Sequence, residues 1–413
     1  MNNILSEPLK LPCGAKLSNR LCKAAMSEGM AGADHHSTPR LETLYRRWAG
    51  SGAGLLLSGN IQVDRWHLER PLNLVVDGEG GMTELAKLAA VGRSHDSHFW
   101  AQLNHAGRQT DAAINPAPLA PSNVEVDVIR GTSYLFAPPR AMTETEIEHA
   151  IAQFAFSARK VREAGFTGVQ LHAAHGYLIS QFLSPLSNRR ADGWGGSLEH
   201  RSRFLIQTLA AVRGAVGADF PIGIKLNASD FQKGGFTNAE CLELVKVLNT
   251  SSLDLLELSG GSLEQPKIVG VAVKDEGEDK LQPSTVKREA YFVDFAGAVR
   301  AAAAMPVMVT GGFRTVTGMV EALERGELDL IGLGRPLIAD PQTPKRLLTG
   351  EIDRAPAPEA GLNLFHLQQW NNMQLERLGD GLDPDLTLDS AWAATEFAAL
   401  EKRNTAAVLE LRR

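Results

Sequence analysis

Cysteine is scarce in this chain: Cys13, Cys22 and Cys241 are the only three among 413 residues. Three thiols cannot make a disulfide framework, and they suit a reducing compartment. Long hydrophobic runs are missing too, so no segment is expected to span a membrane. The first residues, MNNILSEPLKLPCG, lack the basic-then-apolar pattern of a secretion signal. There is no dense basic run, and the net charge of −6 argues against a nucleic-acid partner. These absences lead to the expectation of a soluble, cytoplasmic protein with no nucleic-acid or membrane partner.

What is present is rhythm. Eight short apolar runs read as strands: 19–26, 54–63, 99–103, 168–171, 221–226, 255–258, 306–310 and 329–333. Helical patterns lie between most of them. Thr38-Pro39 opens one helix as N-cap and first helical residue. Thr143-Glu-Thr-Glu146 and Thr237-Asn-Ala-Glu240 are capping boxes that open two more. Near-continuous hydrophobicity suits strands buried on both faces of a parallel sheet. Eight such units predict a (β/α)8 TIM barrel. A doubly wound open sheet is the competing architecture, but no G-x-G-x-x-G opens a helix after the first strand. Two excursions interrupt the alternation, 109–142 after strand three and 262–286 after strand six. The first carries a hairpin signal near Val124 to Phe136, and the second a charged run, Lys274 to Lys280, that reads as a solvated loop. The expected division is a barrel over 1–350 and a helical extension over 351–413. The extension has helices near 362–378 and 391–411, packed on the barrel or on a partner subunit in a homo-oligomer.

In such barrels active sites lie at the C-terminal ends of the strands. Polar and glycine residues gather there: Ser27, Asn60, Gln102, His172, His175, Tyr177, Lys225, Gly311, Gly312, Gly334 and Arg335. Gly311-Gly312 and Gly334-Arg335 follow strands seven and eight, the usual phosphate site of the fold. Glycine admits backbone N–H groups close to an anion, and arginine adds a forked charge. The bland alternative is a pair of tight turns. His172 and His175 have the i,i+3 spacing of a metal pair, but no H-E-x-x-H and no nearby carboxylate ligand accompanies them. Satisfied core histidines, or donors to a substrate oxygen, are the other readings. Tyr177 is a phenol with an ordinary pKa of about 10, able to give a proton at neutral pH, or else an aromatic lid. Lys225 is a fixed charge, an ion-pair partner, or the nucleophile of a Schiff-base aldolase.

The segments NRLCKAAM, GAGLLLSGNIQVD, QLNHAGRQ, LHAAHGYLISQFLSPLSNRRADGWGGSLEHRSRF, IGIKLN, ELSGG, MVTGGFR and LIGLGRPLIADP resemble the old yellow enzyme family over roughly residues 4–345. The resemblance implies a barrel that holds FMN, takes hydride from NADH or NADPH, and reduces activated alkenes such as enones. It implies that Gln102 meets the flavin pyrimidine edge and that Lys225 stands near flavin N1 and O2, where many members have arginine. Ser27 falls where members have Thr or Cys beside flavin O4, and Asn60 where many have a small residue. By the same resemblance, His172 and His175 hold the substrate carbonyl oxygen and Tyr177 protonates the α carbon. Gly311, Gly312, Gly334 and Arg335 cradle the FMN phosphate. Larger relatives carry an iron–sulfur domain, and this chain has no four-cysteine motif for one. A lysine aldolase and a non-catalytic flavin-binding protein remain the alternatives.

Overall fold

A computed structural model describes residues 4–127, 135–265 and 293–413. Its centre is a ring of eight parallel strands: β1 (Leu21–Lys23), β2 (Leu55–Gln62), β3 (His98–Asn104), β4 (Gly168–Ala173), β5 (Ile222–Asn227), β6 (Leu255–Ser259), β7 (Val307–Thr310) and β8 (Leu330–Leu333). Each pairs with the next, and β8 pairs with β1 to close the barrel. All eight expected strands are present. The first is shorter than 19–26, because the Asn19 side chain accepts from the amides of Leu21 and Gly54 and pairing starts only after it.

Among the described residues the α-helices are α1 (Pro39–Ala49), α2 (Met82–Gly92), α3 (Glu144–Ala164), α4 (Leu178–Leu183), α5 (Leu198–Val216), α6 (Asn238–Leu248), α7 (Val293–Ala302), α8 (Val316–Glu324), α9 (Pro336–Ala339), α10 (Thr343–Thr349), α11 (Leu367–Gly379) and α12 (Ser390–Leu411). Both capping boxes form as the sequence predicts: Thr143 and Thr237 accept from the third helical amide, and Glu146 and Glu240 reach back. The six-residue α4 was not expected. It starts directly after Tyr177 and is buried throughout. Among the described residues no helix is long and apolar enough to cross a membrane.

Strand alternation divides the interior into two regions. At the N-terminal end the ring is filled by Cys22, Leu55, Leu57, Trp100, Leu255, Met308 and Leu330. A small antiparallel hairpin, Leu9–Lys10 with Lys16–Leu17, supplies Leu9, Leu11 and Leu17 to the same cluster. Trp100 explains two glycines on neighbouring strands. A Cβ at Gly168 would lie 2.4 Å from its Nε1, and one at Gly223 3.1 Å from its Cζ3. Above this plug the inward side chains turn polar. A bulge in β2 contributes: Leu57 is opposite Trp100, but Asn60 is opposite Gln102, so one extra residue re-aims Asn60 to the Gln102 side.

In the first excursion Asp111 bridges Phe136, and Leu119–Ala120 pairs in parallel with Arg140–Ala141. The centre of the expected hairpin, 128–134, lies outside the described residues. So does the charged run Lys274 to Lys280. Helices α11 and α12 touch the barrel's mouth loops. Arg40 of α1 pairs with Glu376 at 2.8 Å and Asp380 at 2.7 Å. Arg70, after β2, forks onto Glu401 of α12 at 2.9 and 3.3 Å.

Candidate active site

The end of β4 carries His172, His175 and Tyr177. The His172 ring centroid lies 5.0 Å from that of His175 and 4.8 Å from that of Tyr177, both edge-on. Period-2 alternation points His172 inward, beside its register partner Lys225 on β5. His172 Nδ1 accepts from the Ala174 amide at 3.3 Å, which leaves the ring proton on Nε2. His175 sits at φ 60°, a left-handed conformation that side-chain-bearing residues rarely adopt. Long-range bonds hold it there. Its amide donates to Asn227 Oδ1 at 3.2 Å, its carbonyl accepts from Gln109 at 3.1 Å, and its Nε2 lies 2.7 Å from Ser259 Oγ. Burial holds both histidines well below the usual imidazole range, helped at His172 by the His175 ring and then the Lys225 charge, and at His175 by the Lys225 charge. They are neutral donors at pH 7. Tyr177 is nearly buried and precedes α4 as its N-cap residue.

Below the histidines runs a chain of buried polar side chains. Gln102 Nε2 donates to Gln170 Oε1 at 2.7 Å, and Gln170 Nε2 donates to Glu257 Oε2 at 2.7 Å. Glu257 Oε1 lies 3.0 Å from Lys225 Nζ. The expected cation is therefore paired, and with a carboxylate that sequence reading passed over inside LLEL. Only its period-2 place on an otherwise apolar strand could have flagged it.

Ser27 and Asn60 meet at the end of β1. Asn60 Nδ2 donates to Ser27 Oγ at 3.2 Å, and both side chains donate to Glu69 Oε2, at 2.9 Å from Asn60 and 2.8 Å from Ser27. The Ser27 proton is directed to Glu69. Glu69 is a second site residue missed from sequence, because nothing in RWHLERP marks it as facing the barrel mouth.

Beyond β7, whose partner β8 pairs with β1, Gly311 and Gly312 have φ 109° and 90°. A Cβ on Gly311 would meet nothing within 4 Å, and one on Gly334 only Met26, at 3.7 Å. Arg335 and the buried Arg314 converge on one carboxylate, Glu359: Arg314 in direct contact, Arg335 at 3.7 Å. Arg314 was not among the expected residues, although it stands in the same GGFR motif.

A further group lies behind the site: Asp64, His67 and His105 have ligand-type atoms within 4.8 Å of one another. The imidazole lone pairs a metal would need are already engaged. His67 Nδ1 faces Asp64 at 3.1 Å, its Nε2 accepts from the Leu119 amide at 3.0 Å, and His105 Nδ1 accepts from the Gly107 amide at 3.1 Å.

The donors and spaces fit FMN. Gly311 and Gly334 leave open backbone for a phosphate, beside two arginines. Among the described residues, buried Asn60 Oδ1 and Thr310 Oγ1 have no hydrogen-bond partner. Such orphans are the groups a polar ring system would satisfy.

The profile of the NADH:flavin oxidoreductase / NADH oxidase family matches residues 5–353. The chain is 38% identical over 356 residues to the NADH-dependent flavin oxidoreductase iliE of Neonectria sp. (strain DH2), covering 82% of this chain and 46% of that one. It thus spans about half the length of that relative. It is 35% identical to the NADH-dependent flavin oxidoreductase nadA of Aspergillus parasiticus, covering 96% of this chain and 90% of that one. Among solved structures it resembles a 2-naphthoyl-CoA reductase complex, with a TM-score of 0.79, 27% identity, and coverage of 92% of this chain and 58% of the other. The old yellow enzyme homologue of Zymomonas mobilis shares the fold, with a TM-score of 0.71, 23% identity, and coverage of 86% and 94%. The barrel and these matches agree: the chain belongs to the NADH:flavin oxidoreductase / NADH oxidase family of FMN enzymes.

Proposed function

We propose that this enzyme takes hydride from NADH or NADPH and reduces the activated C=C bond of α,β-unsaturated carbonyl compounds. The observation that carries this reading is the His172–His175–Tyr177 group, two neutral imidazoles and a phenol within ring contact. FMN, when bound, supplies the hydride chemistry. Gln102 and Lys225 would hold its pyrimidine edge, and Gly311, Gly312, Gly334, Arg335 and Arg314 its phosphate. His172 donates its Nε2 proton in a hydrogen bond to the substrate carbonyl oxygen. His175 gives the second bond as the substrate oxygen competes with Ser259 for its Nε2. Both bonds strengthen as negative charge develops on that oxygen, which lowers the barrier. Tyr177 delivers a proton to the α carbon as general acid.

The aldolase reading loses ground here. An ammonium held 3.0 Å from Glu257 has no free lone pair to attack a carbonyl. The test is anaerobic spectroscopy of the purified protein. It should be yellow, with a flavin band near about 450 nm, bleached by NADH or NADPH and recoloured by cyclohexenone. A colourless protein refutes the flavin assignment. A yellow one that nicotinamide does not bleach is a non-catalytic flavoprotein. One that bleaches but ignores the enone reduces something else.

A further inference from the structure

Lys225 and Glu257 are register partners on β5 and β6, and both side chains are almost wholly buried. A lysine at this position brings a problem that an arginine does not. Its ammonium is a compact charge on a flexible stem, without the rigid fork that orients a guanidinium. A buried ammonium is also expensive unless it is paired. Glu257 meets the second need with Oε1, an ion pair at 3.0 Å rather than an aligned hydrogen bond. Its other oxygen sets the direction of everything beyond it. A carboxylate only accepts, so Gln170 must turn its NH2 towards Glu257 and its carbonyl towards Gln102. Gln102 must then give its own NH2 to Gln170, which leaves Gln102 Oε1 turned away from the chain as an acceptor. All three contacts, at 3.0, 2.7 and 2.7 Å, obey this order.

We propose that Glu257 is a positioning residue that fixes the polarity of the flavin site: it holds Lys225 as a charged donor at one end and, through Gln170, presents Gln102 Oε1 as an acceptor at the other. A ring with an anionic or acceptor edge beside an imide N–H is the chemistry that matches this order. The inference rests on the proposed placement of Lys225 and Gln102 against the flavin. The titratable groups that act on Lys225 are Glu257 on β6, His172 on β4, His175 just beyond it, and Cys22 and Lys23 on β1; Lys23, with a pKa of about 8, loses its proton in wild type and variants alike, so its effect cancels in a ratio to wild type.

The experiment uses holoenzyme and sulfite, whose affinity for bound flavin rises with positive charge near N1 and is read by bleaching. Glu257→Gln keeps the shape and removes the carboxylate that lies 3.0 Å from the Lys225 ammonium. Sulfite Kd relative to wild type, measured from pH 6 to pH 9, should then vary with pH by about tenfold or more, because a buried ammonium stripped of its carboxylate partner is destabilised relative to the neutral amine. A loss of fit alone would shift Kd by the same factor at every pH. Lys225→Met should weaken sulfite binding throughout the range. The double variant Lys225→Met/Glu257→Gln buries no unpaired charge, so it folds even if Glu257→Gln does not, and its ratio should not vary with pH. A constant ratio in Glu257→Gln, or a pH-dependent one in the double variant, overturns the role of Glu257 and leaves the placement of Lys225 standing. Wild-type sulfite affinity in Lys225→Met overturns that placement, and the inference with it.

Discussion

Arg70 offers the sharpest test of how the C-terminal helices bear on the site. Its side chain is only 4% exposed. Nη1 donates to the carbonyls of Ser27 at 3.3 Å and Glu28 at 2.9 Å and to Asn372 Oδ1 at 2.8 Å, while Nε and Nη2 fork onto Glu401. The guanidinium also lies 4.9 Å over the Phe397 ring. One cation therefore ties the end of β1 to α11 and α12. Arg70→Met orphans three acceptors, each costing about 1 kcal/mol or more, and breaks a largely buried ion pair. The expected loss is about 3–5 kcal/mol, the usual cost of removing one partner of such a pair. Glu401→Gln leaves the cation buried and should cost a similar amount. The double variant Arg70→Met/Glu401→Gln should lose less than the sum, because each single change already destroys the shared interaction. Urea unfolding of the apoprotein measures all three, with unchanged m-values as the check that the unfolding reaction is the same. Since Arg70 holds the Ser27 carbonyl, FMN affinity should fall in Arg70→Met as well. A loss below about 1 kcal/mol, or strict additivity in the double variant, would refute the clamp.

Tyr177→Phe should leave flavin reduction by nicotinamide near the wild-type rate and slow enone-driven reoxidation by about 10²–10⁴-fold, the usual contribution of a positioned acid. Stopped-flow absorbance on the pre-reduced enzyme decides it, and wild-type reoxidation would make Tyr177 a packing residue. Arg335→Ala should weaken FMN binding by about 1.5–3 kcal/mol in a titration of the apoprotein, and Arg314→Ala should do likewise, since both reach the same carboxylate. His172 and His175 are depressed in the folded state. Below about pH 6.5 the unfolded chain therefore binds protons that the folded one refuses. Apoprotein stability should fall with acidification by about 1.4 kcal/mol per pH unit for each histidine, with a shallower slope in His172→Gln. Lys23 is buried with its Nζ on the Leu57 carbonyl at 2.7 Å and 4.2 Å from the Trp48 ring centroid, and burial lowers its pKa to about 8. The unfolded chain holds that proton longer as pH rises. Stability should gain up to about 3 kcal/mol between roughly pH 8 and 10.5 from this group, a gain absent in Lys23→Met.

The sequence by itself determined the barrel. Strand length, near-continuous hydrophobicity and caps such as Thr143 and Thr237 are local properties, and each acts where it is written. It also determined which residues gather at the strand ends, because the period of two places Gln102, His172 and Lys225 on the inner face once the strands are recognised. Tertiary structure decided who meets whom. Glu257 beside Lys225 depends on the register of β5 against β6, and a shift of one residue would turn it outward. Glu69 reaches Ser27 and Asn60 only through the path of the loop after β2. Arg70 finds Glu401 across 331 residues of sequence, and the left-handed backbone of His175 is held by Asn227, Gln109 and Ser259. Periodicity tells a side chain which face it occupies. Its neighbours on that face come from other strands, and ring closure and register, not local pattern, bring them together.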